Sequence, residues 1–251
     1  MTTENGTVST KIDGGIATVT FMHPKSNSLP GPLLAELARV IRELGSNPEV
    51  RVISLGSEGK GAFCAGASFA ELQSIADEAT GKKFFMGFAT LILAMIRCPK
   101  FIVTRVHGKT VGGGVGIVAA SDYVLATSAA SVRLSELAVG IGPFVVGPCI
   151  ERKIGLAAFS AMAVDADWRD AQWAATHGLY SKLHETVEEL DAAVGKITNM
   201  LSASNPEAMT RLKAGFWAGT EGWDELLADR AESSGTLVLT DFARRAIEGR
   251  G

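Results

Sequence analysis

The chain has little of what marks disulfide-linked or metal-binding proteins. Only three of its 251 residues are cysteine, and all three stand alone in the sequence. Their odd number and isolation argue against a disulfide framework or a CxxC metal site. The four histidines show no ligand spacing, so we expect no metal. Buried thiols in a reducing compartment fit this pattern best.

Strong charge and long apolar runs are also lacking. The formal net charge is −3, and no basic block with interleaved aromatics occurs, so we expect no nucleic-acid partner. Apolar stretches such as residues 91–96 fall far short of the roughly 20 residues that a membrane span needs. Residues 1–8 lack the basic flank and apolar run of a secretory signal. We therefore expect a cytoplasmic protein that binds no membrane.

Strand-like and helix-like segments alternate along the first two thirds of the chain. Residues 7–12 and 16–21 are strand-like and flank a tight turn, and Pro30-Gly31-Pro32 opens an amphipathic helix that runs through Leu44 to a stop at Gly45. Further strands are predicted at 50–55, 101–106 and 123–126, a helix at 112–120, and mostly helices from 147 onward. This alternation predicts an α/β core with a mainly parallel sheet and a helical C-terminal region. We place the boundary between residues 1–200 and 201–251.

Two glycine-rich segments each follow a strand and open a helix. In the first, residues 61–72, Ser68 is a fair N-cap, and small residues would let a ligand oxygen approach the free N–H groups of the helix start. A plain loop-to-helix junction explains this segment equally well.

The second segment, residues 106–116, allows several interpretations. A phosphate-binding P-loop fails, because Val103 stands where its first glycine is needed. A dinucleotide fingerprint at Gly112 and Gly114, with Glu136 for a ribose hydroxyl, lacks its third glycine at Ile117. A hole for a developing oxyanion, or close helix packing through glycine, fits as well.

Taken together, these segments are more specific than either alone. The order Phe63-Cys64-Ala65-Gly66-Ala67, Cys98-Pro99-Lys100, Gly108 with Gly112-Gly113-Gly114, Asp122, and Ser135-Glu136 resembles the crotonase, or enoyl-CoA hydratase/isomerase, superfamily. The resemblance covers roughly residues 8–183. It implies a spiral of repeated ββα turns with a helical C-terminal region, assembled as a homotrimer or a dimer of trimers.

The resemblance also implies a site and a substrate. The backbone N–H groups of Ala67 and Gly113 would form an oxyanion hole for the carbonyl of an acyl-CoA thioester, and Glu136 would move the proton. Coenzyme A would enter as part of the substrate, with no separate cofactor, and fatty acid metabolism would be the setting. Many hydratases of the family carry a second glutamate at the position of Gly116. Since two carboxylates suit hydration, this chain is not a two-glutamate hydratase, and either hydration or double-bond migration stays open.

Other residues would line the substrate's path. By position in the family, the substrate-binding residues are Lys25, Ala65, Ser68, Phe69, Leu72, Gly112 and Phe144, and Phe84 and Phe85 also fall where the acyl pocket has its walls. The apolar walls favour an uncharged acyl group. Two alternatives to an enzyme of this kind remain. One is a catalytically silent relative that only binds acyl-CoA, and the other is a dinucleotide-dependent oxidoreductase.

Overall fold

A computed structural model describes residues 5–249. Residues 1–4, which belong to the segment considered as a secretory signal, lie outside the described residues, as do residues 250–251. The strands, in chain order, are β1 (Thr7–Asp13), β2 (Ile16–Met22), β3 (Val52–Ser57), β4 (Phe101–Val106), β5 (Thr110–Val111), β6 (Tyr123–Thr127), β7 (Ser131–Arg133), β8 (Arg169–Asp170) and β9 (Lys182–His184).

Six of these strands form one sheet in the order β1-β2-β3-β4-β6-β9. β1 and β2 form the predicted antiparallel hairpin, and every later neighbour pair in this sheet is parallel. β3 and β4 are buried along nearly their whole length. Such continuous burial is typical of parallel strands covered on both faces. The remaining strands, β5, β7 and β8, form a second, smaller sheet.

The helices cover both faces of the large sheet and make up most of the C-terminal region. They are α1 (Gly31–Ser46), α2 (Phe69–Ser74), α3 (Glu78–Arg97), α4 (Gly113–Ala119), α5 (Gly147–Asp165), α6 (Ala171–Thr176), α7 (Val187–Ser202), α8 (Pro206–Phe216), α9 (Trp223–Leu237) and α10 (Asp241–Glu248). The predicted α/β class with a helical C-terminal region is therefore confirmed. The boundary proposed near residue 200 falls inside α7 and stays a prediction.

The predicted stop of α1 at Gly45 is wrong by one residue, because the helix continues to Ser46. Gly45 is buried, and a Cβ there would lie 3.2 Å from the Cys98 sulfur and 3.3 Å from Pro99. This glycine therefore permits close packing against the end of α3 and does not terminate the helix.

α3 is the central helix of the core. By length and composition alone its 20 residues would suffice to cross a membrane, but 61% of its apolar window is buried inside the fold. It packs against α1 on one side and α9 on the other. At the α9 crossing, a Cβ on Gly81 would lie 2.8 Å from the Cα of Gly235, so two glycines allow the backbones to touch. The C-terminal region is thereby held directly on the core.

Candidate active site

Three chain segments that are distant in sequence meet at one point beside the sheet. The two glycine-rich segments are joined by a β-bridge between Cys64 and Thr110. Within it, the Cys64 N–H donates to the Lys109 carbonyl at 3.2 Å, and the Val111 N–H donates to the Cys64 carbonyl at 2.9 Å. The Gly112 N–H donates to the Arg133 carbonyl at 2.9 Å, which ties the second segment to the end of β7. Backbone hydrogen bonds thus fix both helix starts relative to the turn that carries Glu136.

Glycine is required at two positions of this junction. Gly66 has a φ of +87°, and a Cβ there would lie 2.9 Å from the Val111 carbonyl oxygen. Gly112 has a φ of +52°, and a Cβ there would lie 3.0 Å from Oε1 of Glu136. Both φ values are in the region that favours glycine. Gly112 therefore allows the backbone to turn into α4 and also leaves room for the carboxyl group.

Glu136 stands just after β7, where a short 3₁₀ turn (Leu137–Val139) begins. Its carbonyl accepts hydrogen bonds from the N–H groups of Val139 and Ile141, at 3.1 and 3.0 Å, which holds its backbone in place. Its Oε2 atom is buried and has no hydrogen-bond partner within residues 5–249. Burial raises the pKa of this carboxyl from 4.5 to about 7, partly opposed by its own N–H and that of Ser135. The carboxyl can therefore exchange its proton near neutral pH.

Two backbone N–H groups in the same place are unused. α4 begins at Gly113, so the N–H of Gly113 is one of those that no carbonyl of the helix can accept. Ala67 lies just before the N-cap of α2, and its N–H, like that of Gly113, donates no hydrogen bond within the described part of the chain. Both residues line the cavity that Glu136 also lines. Unused donors beside an apolar cavity suit an oxygen that carries negative charge.

This catalytic cavity is small and mostly apolar, with a volume of about 60 Å³. Eight of the ten residues predicted for the site lie in its wall: Ala65, Ala67, Phe69, Leu72, Gly112, Gly113, Glu136 and Phe144. The other two do not. Lys25 is exposed in the loop after β2, and Ser68 caps α2, where its Oγ accepts the Glu71 N–H at 3.4 Å.

The aromatic wall differs in part from the prediction. Phe85 lines the cavity, whereas Phe84 does not and packs edge-on against Phe85 and Phe88 from behind. Phe88, which the sequence analysis missed, lines the cavity and lies against Gly113, where any Cβ would overlap its ring. The spacing of Phe84, Phe85 and Phe88 on one helix could have indicated that Phe88 shares a face with the other two.

The position of the second family glutamate is filled by other side chains. Gly116 is fully inside the fold, and a Cβ there would lie 2.6 Å from Cγ1 of Val146 and 3.5 Å from Cδ1 of Ile92. The nearest downstream carboxylate, Asp122, is not part of the cavity. It is buried in an ion pair with Lys213, at 2.7 Å, and also accepts the Ile102 N–H at 2.8 Å. Glu136 is thus the only carboxylate of the described residues that lines the cavity.

Two polar residues of the cavity wall were not predicted as site residues. Ser135 precedes Glu136, and Ser234 comes from α9 in the C-terminal region. Ser234 is almost fully buried, and its Oγ donates to the Arg230 carbonyl at 3.1 Å. Nothing in the local sequence of α9 indicates that it reaches the cavity, because its packing on α3, with Gly81 against Gly235, brings it there.

Comparison with known proteins identifies a family that this chain matches over most of its length. The family model described as enoyl-CoA hydratase/isomerase matches residues 11–240. A (7aS)-7a-methyl-1,5-dioxo-2,3,5,6,7,7a-hexahydro-1H-indene-carboxyl-CoA hydrolase of Rhodococcus jostii is 34% identical over 132 residues, which cover 53% of this chain and 51% of that protein. A short-chain-enoyl-CoA hydratase of Clostridium acetobutylicum is 27% identical over 94% of this chain and 90% of its own.

Solved structures show the same fold. The crystal structure of an enoyl-CoA hydratase from Mycobacterium avium superposes with a TM-score of 0.86 and 26% identity, covering 97% of this chain and 95% of that one. The crotonase fold implied by the sequence motifs is therefore confirmed.

Proposed function

This chain belongs to the enoyl-CoA hydratase/isomerase family and is an enzyme of that family. We propose that it moves a proton at the carbon next to the carbonyl of an acyl-CoA thioester. Its main reaction would be the migration of a carbon–carbon double bond. The observation that supports this most is the position of Glu136. One oxygen of its carboxyl, Oε2, is buried and lacks a partner within residues 5–249, and the residue shares a small apolar cavity with two unused backbone N–H groups.

In the proposed reaction the thioester oxygen accepts hydrogen bonds from the N–H groups of Ala67 and Gly113. These donors stabilise the enolate more than the ground-state carbonyl, because negative charge on the oxygen grows as the proton leaves carbon. Losing one donor of this kind typically raises a barrier by about 3–4 kcal/mol. The apolar walls strengthen both hydrogen bonds by keeping water away.

Glu136 would carry the proton between two carbons of the acyl group. Its carboxylate takes a proton from the carbon next to the carbonyl, and the electron pair of that C–H bond moves toward the thioester oxygen. The carboxyl then returns the proton to the carbon two bonds further along, the carbonyl re-forms, and the double bond has shifted by one position. A pKa of about 7 suits a group that must both accept and release a proton near neutral pH.

Addition of water is the second candidate reaction. Hydration is helped by a second group that orients water, and at Gly116 the space for a carboxylate is filled by Val146. Ser135 is the observation that favours hydration, because it lines the cavity beside Glu136 and a hydroxyl can hold a water. The missing carboxylate makes us rank migration first.

Other parts of the proposal concern the whole protein. We infer a homotrimer or a dimer of trimers in the cytoplasm, acting on acyl-CoA in fatty acid metabolism without a separate cofactor. Self-association is supported by α5, where Leu156 and Val164 on one face are 64% and 73% exposed. Contact with another chain at α5 would remove both side chains from water.

The decisive experiment compares Glu136→Gln with wild type on a panel of 2-enoyl-CoA and 3-enoyl-CoA thioesters. Double-bond migration changes the absorbance of the conjugated thioester, and mass spectrometry of the products detects added water. We expect Glu136→Gln to lower turnover by roughly 10²–10⁴-fold while the affinity for the thioester stays nearly unchanged. The matched control is Glu188→Gln on the exposed first turn of α7, which should keep full activity. Turnover of Glu136→Gln within threefold of wild type would exclude this role.

A further inference from the structure

The catalytic cavity is too small for a long acyl chain. Its volume of about 60 Å³ exceeds the roughly 10–15 Å³ that holds one water molecule. It is far below the roughly 300–1,000 Å³ of typical small-molecule sites. An acyl chain longer than a few carbons must therefore leave this cavity through its wall.

One side chain, Phe144, is shared by the walls of the catalytic cavity and of a much larger space. Phe144 lines the cavity and also lines an open groove of about 570 Å³ along α9. The α9 side of this outer groove is formed by Asp229, Glu232, Ser233, Thr236 and Leu237. None of these five α9 residues lines the catalytic cavity. The ring of Phe144 thus lies at a partition between two spaces.

The loop that carries Phe144 fixes the ring in this position. The Phe144 N–H donates to the Gly142 carbonyl at 2.9 Å, and Gly142 has a φ of +116°. The ring lies over Gly142 so closely that a Cβ there would be 2.7 Å from Cε2 of Phe144. A residue other than glycine at 142 would be strained and would push the ring away. Gly142 therefore allows Phe144 to close the cavity.

From this arrangement we propose that Phe144 sets the length of the acyl group, so that the enzyme prefers short acyl-CoA thioesters because the ring blocks the way to the outer groove. The inference rests on the proposed function, since it assumes that the acyl group enters this cavity. It names Phe144 as a residue that determines specificity and not as one that takes part in the chemistry.

One other residue borders a second space and provides the comparison. Leu72 lines the catalytic cavity and also a pocket of about 350 Å³ between α2 and α10. If Leu72 and not Phe144 blocked long acyl groups, then Leu72→Ala would let longer acyl groups bind and Phe144→Ala would not. The two variants therefore compare two routes for a long acyl group, one past Phe144 and one past Leu72. Each variant removes a large apolar side chain from the cavity wall.

The experiment measures kcat/KM for 3-butenoyl-CoA and for 3-decenoyl-CoA with wild type, Phe144→Ala and Leu72→Ala. We expect wild type to favour the short ester, and Phe144→Ala to raise the long-to-short ratio by at least about tenfold, as pocket changes of this size do. Leu72→Ala should change that ratio by less than about threefold. An unchanged ratio in Phe144→Ala, or a larger gain in Leu72→Ala, would overturn the inference.

A binding assay separates this inference from the proposed reaction. The same three proteins are titrated with butyryl-CoA and decanoyl-CoA, which have no double bond to move. If no variant turns over any enoyl ester but Phe144→Ala gains affinity for decanoyl-CoA alone, the reaction is wrong and the role of Phe144 stands. If turnover is present and the length preference is the same in wild type and Phe144→Ala, only the inference fails. If no thioester binds, both fail.

Discussion

Val146 occupies the space beside Gly116: its Cγ1 lies 2.6 Å from where a Cβ of residue 116 would stand. The absence of a second carboxylate is therefore built into the packing as well as the sequence. Val146 itself lines the catalytic cavity, so the side chain that fills this space also shapes the site. A larger side chain at residue 116 therefore fits without strain only if the side chain at residue 146 becomes smaller.

The first prediction concerns this packing. Gly116→Ala should lower the free energy of unfolding by about 1–2 kcal/mol, since overpacking at so short a contact costs about 2–3 kcal/mol and alanine regains only roughly 1 kcal/mol in a helix. Adding Val146→Ala should recover part of the loss. Urea denaturation of the two single variants and the double variant gives the interaction energy. A Gly116→Ala protein as stable as wild type would show that Val146 is not in the way.

A second prediction extends this to the reaction. Gly116→Glu in a Val146→Ala background supplies a second carboxylate and the room for it. We expect the ratio of hydration product to migrated product to rise relative to Val146→Ala alone, because the new carboxylate can orient water. Product analysis by mass spectrometry measures the ratio. If the ratio does not change in a folded double variant, the missing carboxylate does not decide between the two reactions.

The third prediction is the pH dependence of catalysis. If the reaction begins with Glu136 as a base, kcat/KM follows the ionised fraction of its carboxyl, whose pKa is about 7. The rate should then be half-maximal near pH 7 and should fall about tenfold for each further pH unit on the acid side. Initial rates on a 3-enoyl-CoA thioester across the neutral range provide the profile. A rate that rises on acidification would assign the first step to the protonated form instead.

A fourth prediction concerns stability. The pKa of the Glu136 carboxyl is 4.5 in an unfolded chain, and burial raises this pKa to about 7 in the folded protein. Between these values unfolding releases a proton, so the folded state loses stability as the pH rises from about 4.5 to 7. The loss is on the order of 3 kcal/mol and is constant above that range. Glu136→Gln has no such ionisation and should be more stable than wild type at pH 8 but not at pH 4.5.

This stability comparison is measured by chemical denaturation of both proteins at the two pH values. The control is again Glu188→Gln, whose stability should follow wild type at both. If the free energy of unfolding changed equally with pH in Glu136→Gln and in wild type, the carboxyl would be solvated in the folded protein.

The fifth prediction separates Asp122 from the catalytic machinery. Lys213→Met leaves the Asp122 carboxylate buried without its cation, and breaking a buried pair typically costs about 3–5 kcal/mol of stability. The double variant Lys213→Met/Asp122→Asn should lose less, because the uncompensated charge is gone. Activity per folded molecule should stay at the wild-type value in both. A specific loss of kcat in the double variant would connect Asp122 to the reaction.

The sequence predicted which residues meet at the candidate site better than it predicted the shape of the cavity. Ala67, Gly113 and Glu136 could be found because each stands in a short contiguous motif, and backbone hydrogen bonds join these motifs directly. Local patterns also predicted the strands, since β4 has the predicted bounds, residues 101–106. Gly45 shows the weakness of such patterns, because a glycine that permits close packing looks the same as one that ends a helix.

What the sequence could not show depends on contacts between distant elements. Ser234 reaches the cavity only through the crossing of α3 and α9, and Val146 meets Gly116 only because α4 and α5 pack together. Neither neighbour is visible in a local period or motif. Lys25 is exposed and lies outside the cavity, and its predicted contact with the nucleotide end of coenzyme A stays a prediction.

The contact between Gly81 and Gly235 has a consequence for how the protein is made. The ribosome synthesises the chain from its N-terminus, so α9, residues 223–237, emerges well after α3. Until then, the side of α3 that α9 covers is open to water, and the wall that Ser234 supplies is missing. A nascent chain released early would expose that apolar side to chaperones and proteases. The arrival of α9 therefore completes both this side of the hydrophobic core and the wall of the catalytic cavity in one step of biosynthesis.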